Sequence, residues 1–207
     1  MQDKSDISAI SPNKRVEVYL LAAGKSERLG VNKQLLRLGS ETILSHMARK
    51  FFEAGLKRVR VIGRVDDELL AREAFELGLR YIINLQPELG MVGSILEALD
   101  DCHSEWMALC PADMPLLEVG TIERCASMLD KGYSVIQPIC EGIRKHPVFL
   151  KDNTWLSLRG AIRDGKTLRD FLMTQDIYTV HTENCKQFRD VDTLEDYREI
   201  LREFEKN

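Results

Sequence analysis

Val16-Glu17-Val18-Tyr19-Leu20-Leu21-Ala22-Ala23-Gly24-Lys25-Ser26-Glu27-Arg28-Leu29-Gly30, with Lys33 three residues further on, decides how this chain is read. Val16, Val18 and Leu20 alternate with Glu17, Tyr19 and Leu21, which predicts a strand running into small residues, then glycine. Three cations, Lys25, Arg28 and Lys33, follow within ten positions. Small residues and glycine let the backbone approach a ligand closely and aim N–H groups at it. The cations can neutralise several phosphate charges. The stretch therefore reads as an anion site at the carboxyl end of the first strand, where open α/β sheets hold their ligands.

Strands and helices alternate outward from it. Strands are predicted at Val16–Leu21, Val59–Ile62, Tyr81–Ile83, Trp106–Cys110 and Val135–Gln137. Helices are predicted between them at Thr42–Ala54, Asp66–Leu77, about Val92–Leu99 and Val119–Leu129. This βαβ rhythm implies an α/β fold with a mostly parallel, mixed sheet flanked by helices. The last third is less regular, with strands at Pro147–Leu150 and Ile177–Val180 and helices at Gly165–Met173 and Thr193–Phe204. Thr193 followed by Asp196 makes a capping arrangement for the terminal helix. Residues 1–14 read as a flexible polar arm and residues 15–207 as one domain.

Composition narrows the function. With 207 residues, 44% hydrophobic and 30% charged, the chain has the make-up of a globular protein. A net charge of −4 supplies no basic surface for nucleic acid, so the cationic cluster is local and suited to a small anion. No apolar stretch is long enough to span a bilayer and Met1 to Lys14 lacks a signal-peptide core, so no membrane partner and a cytoplasmic location are expected. Five cysteines (Cys102, Cys110, Cys125, Cys140, Cys185) without a C-x-x-C pair read as reduced, mostly buried residues. Four dispersed histidines give no zinc spacing.

Leu109-Cys110-Pro111-Ala112-Asp113-Met114-Pro115 places an acid just after the fourth strand, between prolines that stiffen its loop. Asp113 then stands at the same sheet edge as the glycine loop. Magnesium takes one or two carboxylates plus phosphate oxygens and water, which makes Asp113 a candidate ligand. Asp190 and Asp192, spaced by two on an extended segment, can face the same way and complete the set. The sequence does not separate them, although Asp192 lies nearer the helix start.

Together these motifs resemble the MobA-like nucleotidyltransferases, over roughly residues 16 to 201 and in the family's order. The resemblance rests on Ala22-Ala23-Gly24 with Ser26, Arg28, Gly30 and Lys33, on Asp113-Met114-Pro115, and on Asp190-Val191-Asp192-Thr193-Leu194-Glu195-Asp196, where Leu194 replaces the usual proline. Gly90-Met91-Val92-Gly93-Ser94 is similar to the family's Gly-Met-Ser-Ser-Ser turn, with Val92 and Gly93 divergent. Gly142 to Val148 is similar to its Gly-His-Pro segment, with Lys145 for glycine. The resemblance implies a Rossmann-like nucleotidyltransferase fold and magnesium-dependent transfer of NMP from an NTP to a phosphate acceptor, with pyrophosphate leaving.

The site residues it implies are Arg28, Lys33 and Asp113 for catalysis. Leu21, Ala22, Ala23, Gly24, Lys25, Ser26, Arg28, Lys33, Asn84, Gly90, Met91, Ser94 and Pro111 would hold the nucleotide. His146 and Pro147 would face the acceptor, unless His146 is only a strand-edge residue. Asp113 with Asp192 and Asp190 would bind Mg2+. The Ala-Ala-Gly form resembles the cytidylyl-transferring branch, which implies CTP, a molybdopterin acceptor, and transient contact with a molybdoenzyme or its chaperone.

Competing readings are a sugar- or polyol-phosphate nucleotidyltransferase and a nucleotide-binding module without chemistry. Gly160-Ala161-Ile162-Arg163-Asp164-Gly165-Lys166-Thr167 matches the P-loop pattern G-x-x-x-x-G-K-[ST]. The mixed segment Asn153 to Arg159 before it is no buried strand, so a P-loop is not expected.

Overall fold

A computed structural model describes residues 15–24 and 29–204 of the chain. Its strands are β1 (Val16–Leu21), β2 (Arg37–Leu38), β3 (Glu41–Thr42), β4 (Val59–Gly63), β5 (Arg80–Ile83), β6 (Trp106–Pro111), β7 (Val135–Cys140), β8 (Ile143–Arg144), β9 (Val148–Lys151) and β10 (Ile177–His181). Its helices are α1 (Ile43–Glu53), α2 (Glu68–Glu76), α3 (Met91–Asp101), α4 (Val119–Ala126), α5 (Asp152–Arg163), α6 (Leu168–Leu172) and α7 (Leu194–Phe204).

The large sheet has the order β10-β7-β9-β6-β1-β4-β5, with β8 added on β7, and β2 and β3 form a separate ribbon. β1 pairs parallel with β4 and β6, whereas β9 runs antiparallel to β6 and β7. The sheet is therefore mixed and mostly parallel, as the alternating pattern implied. Leu21 is opposite Pro111 in register, so the loops leaving β1 and β6 start side by side at one edge.

Side-chain alternation assigns the two faces. Val16, Val18 and Leu20 pack with Ile43, Met47 and Phe51 of α1 and Ile122 of α4. Tyr19 and Leu21 pack on the other face with Ile95 and Leu99 of α3 and Trp155 and Leu158 of α5. Because helices cover both faces, all of β1 is buried, Glu17 included. Glu17 is satisfied by Arg58, by Arg60 (2.9 Å) and by the His103 amide (2.9 Å), at the strand end away from the glycine loop.

Local signals account for the helix ends. Thr42 Oγ1 caps α1 by accepting from Ser45 N at 3.0 Å, and Gly55 closes it with a positive φ of 81°. Thr193 and Asp196 exchange both bonds expected of the capping arrangement, at 2.7 and 3.1 Å.

Two readings are corrected, and one helix is added. Asp152 to Arg163 is a full helix, α5, whose Trp155, Leu158 and Ile162 recur at helical spacing onto the core. The helix expected from Gly165 begins only after the Thr167 cap. Cys140 and Cys185 form a disulfide, so the cysteines are not all reduced; Cys102, Cys110 and Cys125 are free and buried. The partners are 45 residues apart, and folding places the end of β7 beside the turn that follows β10. The P-loop match falls on the last turn of α5 and the turn before α6, without a preceding strand at Gly160. The arm at 1–14 and the loop residues Lys25, Ser26 and Arg28 lie outside the described residues. No helix among the described residues is long and apolar enough to cross a membrane.

Candidate active site

A cavity of about 470 Å³ opens where β1 and β6 end. Leu21, Ala23, Gly24, Lys33, Gly90, Met91, Ser94, Pro111, Asp113, Asp190 and Asp192 line it, so motifs scattered over most of the chain meet in one place. The convergence follows from the topology. Ala112 N donates to Leu21 O at 3.1 Å, which joins the Asp113 loop to the start of the glycine loop. Val191 N donates to Asp113 O at 3.0 Å, which brings the late acid pair to the same point. His46 Nε2–H donates to Pro115 O at 3.0 Å and braces the Asp113 loop from α1.

Not every expected residue faces the cavity. Ala22 is 1% exposed, donates to Ile62 O at 2.8 Å and lies beneath the lining. Asn84 is also buried and serves as scaffold, accepting from Gln86 N at 2.8 Å and donating to Ser94 Oγ at 3.2 Å. His146 lines a second cavity, and Pro147 is buried beside it. Gln34 and Pro87 line the first cavity and were not foreseen. Gln34 is 1% exposed with no hydrogen-bond partner for Oε1, a buried acceptor of the kind usually matched by a donor. Its only sequence signal is its place beside Lys33.

Charge is concentrated at the cavity floor. Lys33 Nζ pairs with Asp113 Oδ2 and donates to Asp192 Oδ1 at 2.9 Å. Burial would lower the Lys33 pKa, but the Asp113 and Asp192 carboxylates outweigh it and hold the ammonium above its ordinary value. Asp113 is 8% exposed, and its Oδ1 has no hydrogen-bond partner. Its loop, held between Pro111 and Pro115 at the end of β6, keeps it buried while it lines the cavity. Asp190 is pushed up to about 6 by desolvation and by the negative charges of Asp113 and Asp192.

That shift has a defined pH signature. The folded chain holds the Asp190 proton to higher pH than the unfolded chain, whose ordinary value is 3.8, so stability falls as pH rises through about 4 to 6 and then levels. Asp190→Asn should remove that fall. Melting in EDTA from pH 4 to 8 should show variant and wild type together at pH 4, with the variant melting higher above pH 6. A difference independent of pH would contradict the assignment.

Among the described residues no three of His, Cys, Asp and Glu could hold a metal by themselves. An all-oxygen donor set with an unpartnered Asp113 Oδ1 nevertheless fits magnesium, which completes its shell with phosphate oxygens and water.

A family model described as MobA-like NTP transferase domain matches residues 18–179. The molybdenum cofactor cytidylyltransferase of Escherichia coli is 27% identical over 184 residues, covering 88% of this chain and 93% of its own. The molybdenum cofactor guanylyltransferase of Haemophilus influenzae is 22% identical over 191 residues, covering 90% and 97%. Among solved structures, a nucleotidyl transferase from Methanothermobacter thermautotroptrophicus superposes with a TM-score of 0.79 at 18% identity, covering 93% of this chain and 98% of that one.

Proposed function

The chain belongs to the MobA-like NTP transferase family and is a nucleotidyltransferase, and on that premise we propose that it transfers CMP from CTP to a phosphate of molybdopterin and releases pyrophosphate. The observation that carries the reading is Asp113, with one buried oxygen unpartnered and the other on Lys33, facing a cavity bounded by Gly24 and Gly90. A P-loop origin for the phosphate site is disfavoured because Lys166 lies on a turn between two helices.

Asp113 with Asp190 or Asp192 would hold magnesium, whose chemistry at this place is neutralisation of charge between the transferred phosphate and the pyrophosphate. Lys33 presently spans two of those carboxylates. With an NTP bound, the Lys33 ammonium would pair with a phosphate oxygen and stabilise the leaving charge. Leu21, Ala23 and the Gly24 backbone form one wall of the base site, and Gly90, Met91 and Ser94 the other. His146 stands on the acceptor side. The acceptor phosphate is itself the nucleophile, so the chain's contribution is positioning and charge.

CTP preference follows from the Ala23 methyl group, which narrows the wall where a glycine would leave room for a purine. Pyrophosphate release measured with each NTP against molybdopterin and a panel of sugar and polyol phosphates, with and without EDTA, tests the reading. CTP with molybdopterin should give the largest kcat/KM, and Ala23→Gly should shift preference towards GTP. Preference of the wild type for GTP overturns the cytidylyl assignment, and faster turnover of a sugar phosphate overturns the acceptor. Full activity in EDTA overturns the metal.

A further inference from the structure

The two ends of the Cys140–Cys185 bond stand on unlike ground. Cys140 ends β7, which pairs with β8, β9 and β10, so its sulfur is fixed to the sheet. Cys185 opens the short turn Cys185–Phe188, which runs directly into Arg189-Asp190-Val191-Asp192. The bond therefore clips a rigid strand end to the segment that brings the late acids to the cavity. Weaker ties hold the rest of that segment. Thr182 N donates to Ile139 O at 3.0 Å, Glu118 N to Gln187 Oε1 at 3.2 Å, and Val191 N to Asp113 O at 3.0 Å. Phe188 and Val191 add buried apolar contact. Like-charge repulsion acts against these ties, because Asp113, Asp190 and Asp192 line one cavity and the Lys33 ammonium offsets only part of their charge.

The other cysteines are closed to the outside. Cys102, Cys110 and Cys125 are free and buried. Burial pushes the Cys102 and Cys125 thiols up to about 12 and raises Cys110 as well, and a protonated thiol is a poor nucleophile. Cys140 is buried too, whereas Cys185 is half-buried, so an outside thiol meets the bond at Cys185 Sγ. In a reducing compartment a bond of this kind is transient and senses the redox state.

We propose that Cys140–Cys185 is a redox clasp: closed, it keeps Asp190 and Asp192 against Asp113, and open, it lets their segment move off the cavity and weakens metal binding there. The effect on metal rests on the reading of these acids as ligands, whereas the clasp rests on the connection alone. Opening is a balanced exchange. A low-molecular-weight thiolate attacks Cys185 Sγ, the S–S bond breaks, and Cys140 Sγ leaves as a thiolate and takes up a proton. A second thiolate attacks the mixed disulfide and frees Cys185, which is protonated in turn. Two small thiols are oxidised to one disulfide as the pair is reduced, and a small disulfide closes the clasp by the reverse steps. The equilibria are linked, so a cation that binds the closed form more tightly must favour closure by the same factor.

The test uses the full chain in glutathione buffers, with Mn2+ as a paramagnetic stand-in for magnesium. Denatured samples should show three free thiols from closed protein and five from open protein. Opening should weaken Mn2+ binding, read by electron paramagnetic resonance, by about fivefold or more, and glutathione disulfide should restore it. Reciprocally, saturating Mn2+ should raise by the same factor the ratio of squared thiol to disulfide concentration at which half the protein is open. Hydrogen exchange at the Val191 amide should quicken by about fivefold or more on opening, while the amides of β1 and β6 keep their protection. Cys140→Ser with Cys185→Ser should hold the open values in every buffer, and reduction of the wild type gives the same comparison should that variant fail to fold.

Absence of the bond after incubation with glutathione disulfide, or Val191 exchange within twofold in the two states, overturns the proposal. Loss of the β1 and β6 protection together with that of Val191 also overturns it, because the bond is then a staple of the whole fold. Mn2+ bound equally well in both states overturns the clasp and leaves the metal reading standing. No Mn2+ bound in either state, with Val191 exchange still governed by the bond, supports the clasp and counts against the metal reading instead.

Discussion

Asp113→Asn should lower kcat about 10³-fold, the scale expected when a group that stabilises charge only in the transition state is removed. The carboxylate sits at the end of β6 with Oδ1 unpartnered and Oδ2 on Lys33, inside a group of three acids and one ammonium. Asparagine keeps the shape and removes the charge that would hold the metal. Stability should change little despite the burial, because two effects oppose. Lys33 loses one partner but keeps Asp192, while Asp190, now pushed up to about 6 in part by Asp113, is relieved of a like charge. A melting shift within about 2–4 °C, equivalent to about 1 kcal/mol for a chain of this size, is therefore expected. Pyrophosphate release and thermal melting on the same sample check both halves. Retention of a tenth of wild-type turnover would remove Asp113 from the metal role, and collapse of the fold would make it a structural residue.

The parts of the site that could be read from the sequence are those whose cause is local. Ala22 to Gly24 after an apolar strand, Asp113 between two prolines and Thr193 with Asp196 each carry their reason within a few residues; Ala23, Gly24 and Asp113 line the cavity, Ala22 lies beneath it, and the Thr193 cap forms. Features made by contact across the chain were not legible. The Cys140–Cys185 bond joins segments that only the sheet order brings together. α5 was hidden because Leu156 and Gly160 stand exposed among its polar residues and blur the buried stripe of Trp155, Leu158 and Ile162. Gln34 and Gln137 look like ordinary polar residues until burial leaves an amide oxygen of each without a partner. Asn84 errs the other way, since a polar residue near the right turn turned out to hold that turn together.

Gly93→Ala should cost about 1–3 kcal/mol of stability, the usual penalty for forcing an extra methyl group into a packed site, and should raise the NTP KM about tenfold. Gly93 is one of the two positions where Gly90-Met91-Val92-Gly93-Ser94 departs from the pattern it resembles, and the structure supplies a reason. A Cβ there would lie 2.2 Å from the Gln86 carbonyl oxygen and 2.8 Å from Asn84 Oδ1. Neither atom yields cheaply: Gln86 is backbone, and Asn84 is fixed by its bonds to Gln86 N, to Ser94 Oγ and, through its own amide, to Gly63 O at 2.7 Å. The first turn of α3 would have to lift off the turn at 84–89 to make room. Gly90, Met91 and Ser94 ride on that turn and line the cavity at the ends of β1 and β6, so the strain reaches the base wall proposed there. Val92→Ser, at the neighbouring departure, leaves the close approach intact and should keep nucleotide affinity within about twofold while losing some packing. CTP titration and melting of the two variants separate the effects. A Gly93→Ala protein that is destabilised yet binds CTP as the wild type does would show that residues 90 to 94 form no wall of the base site.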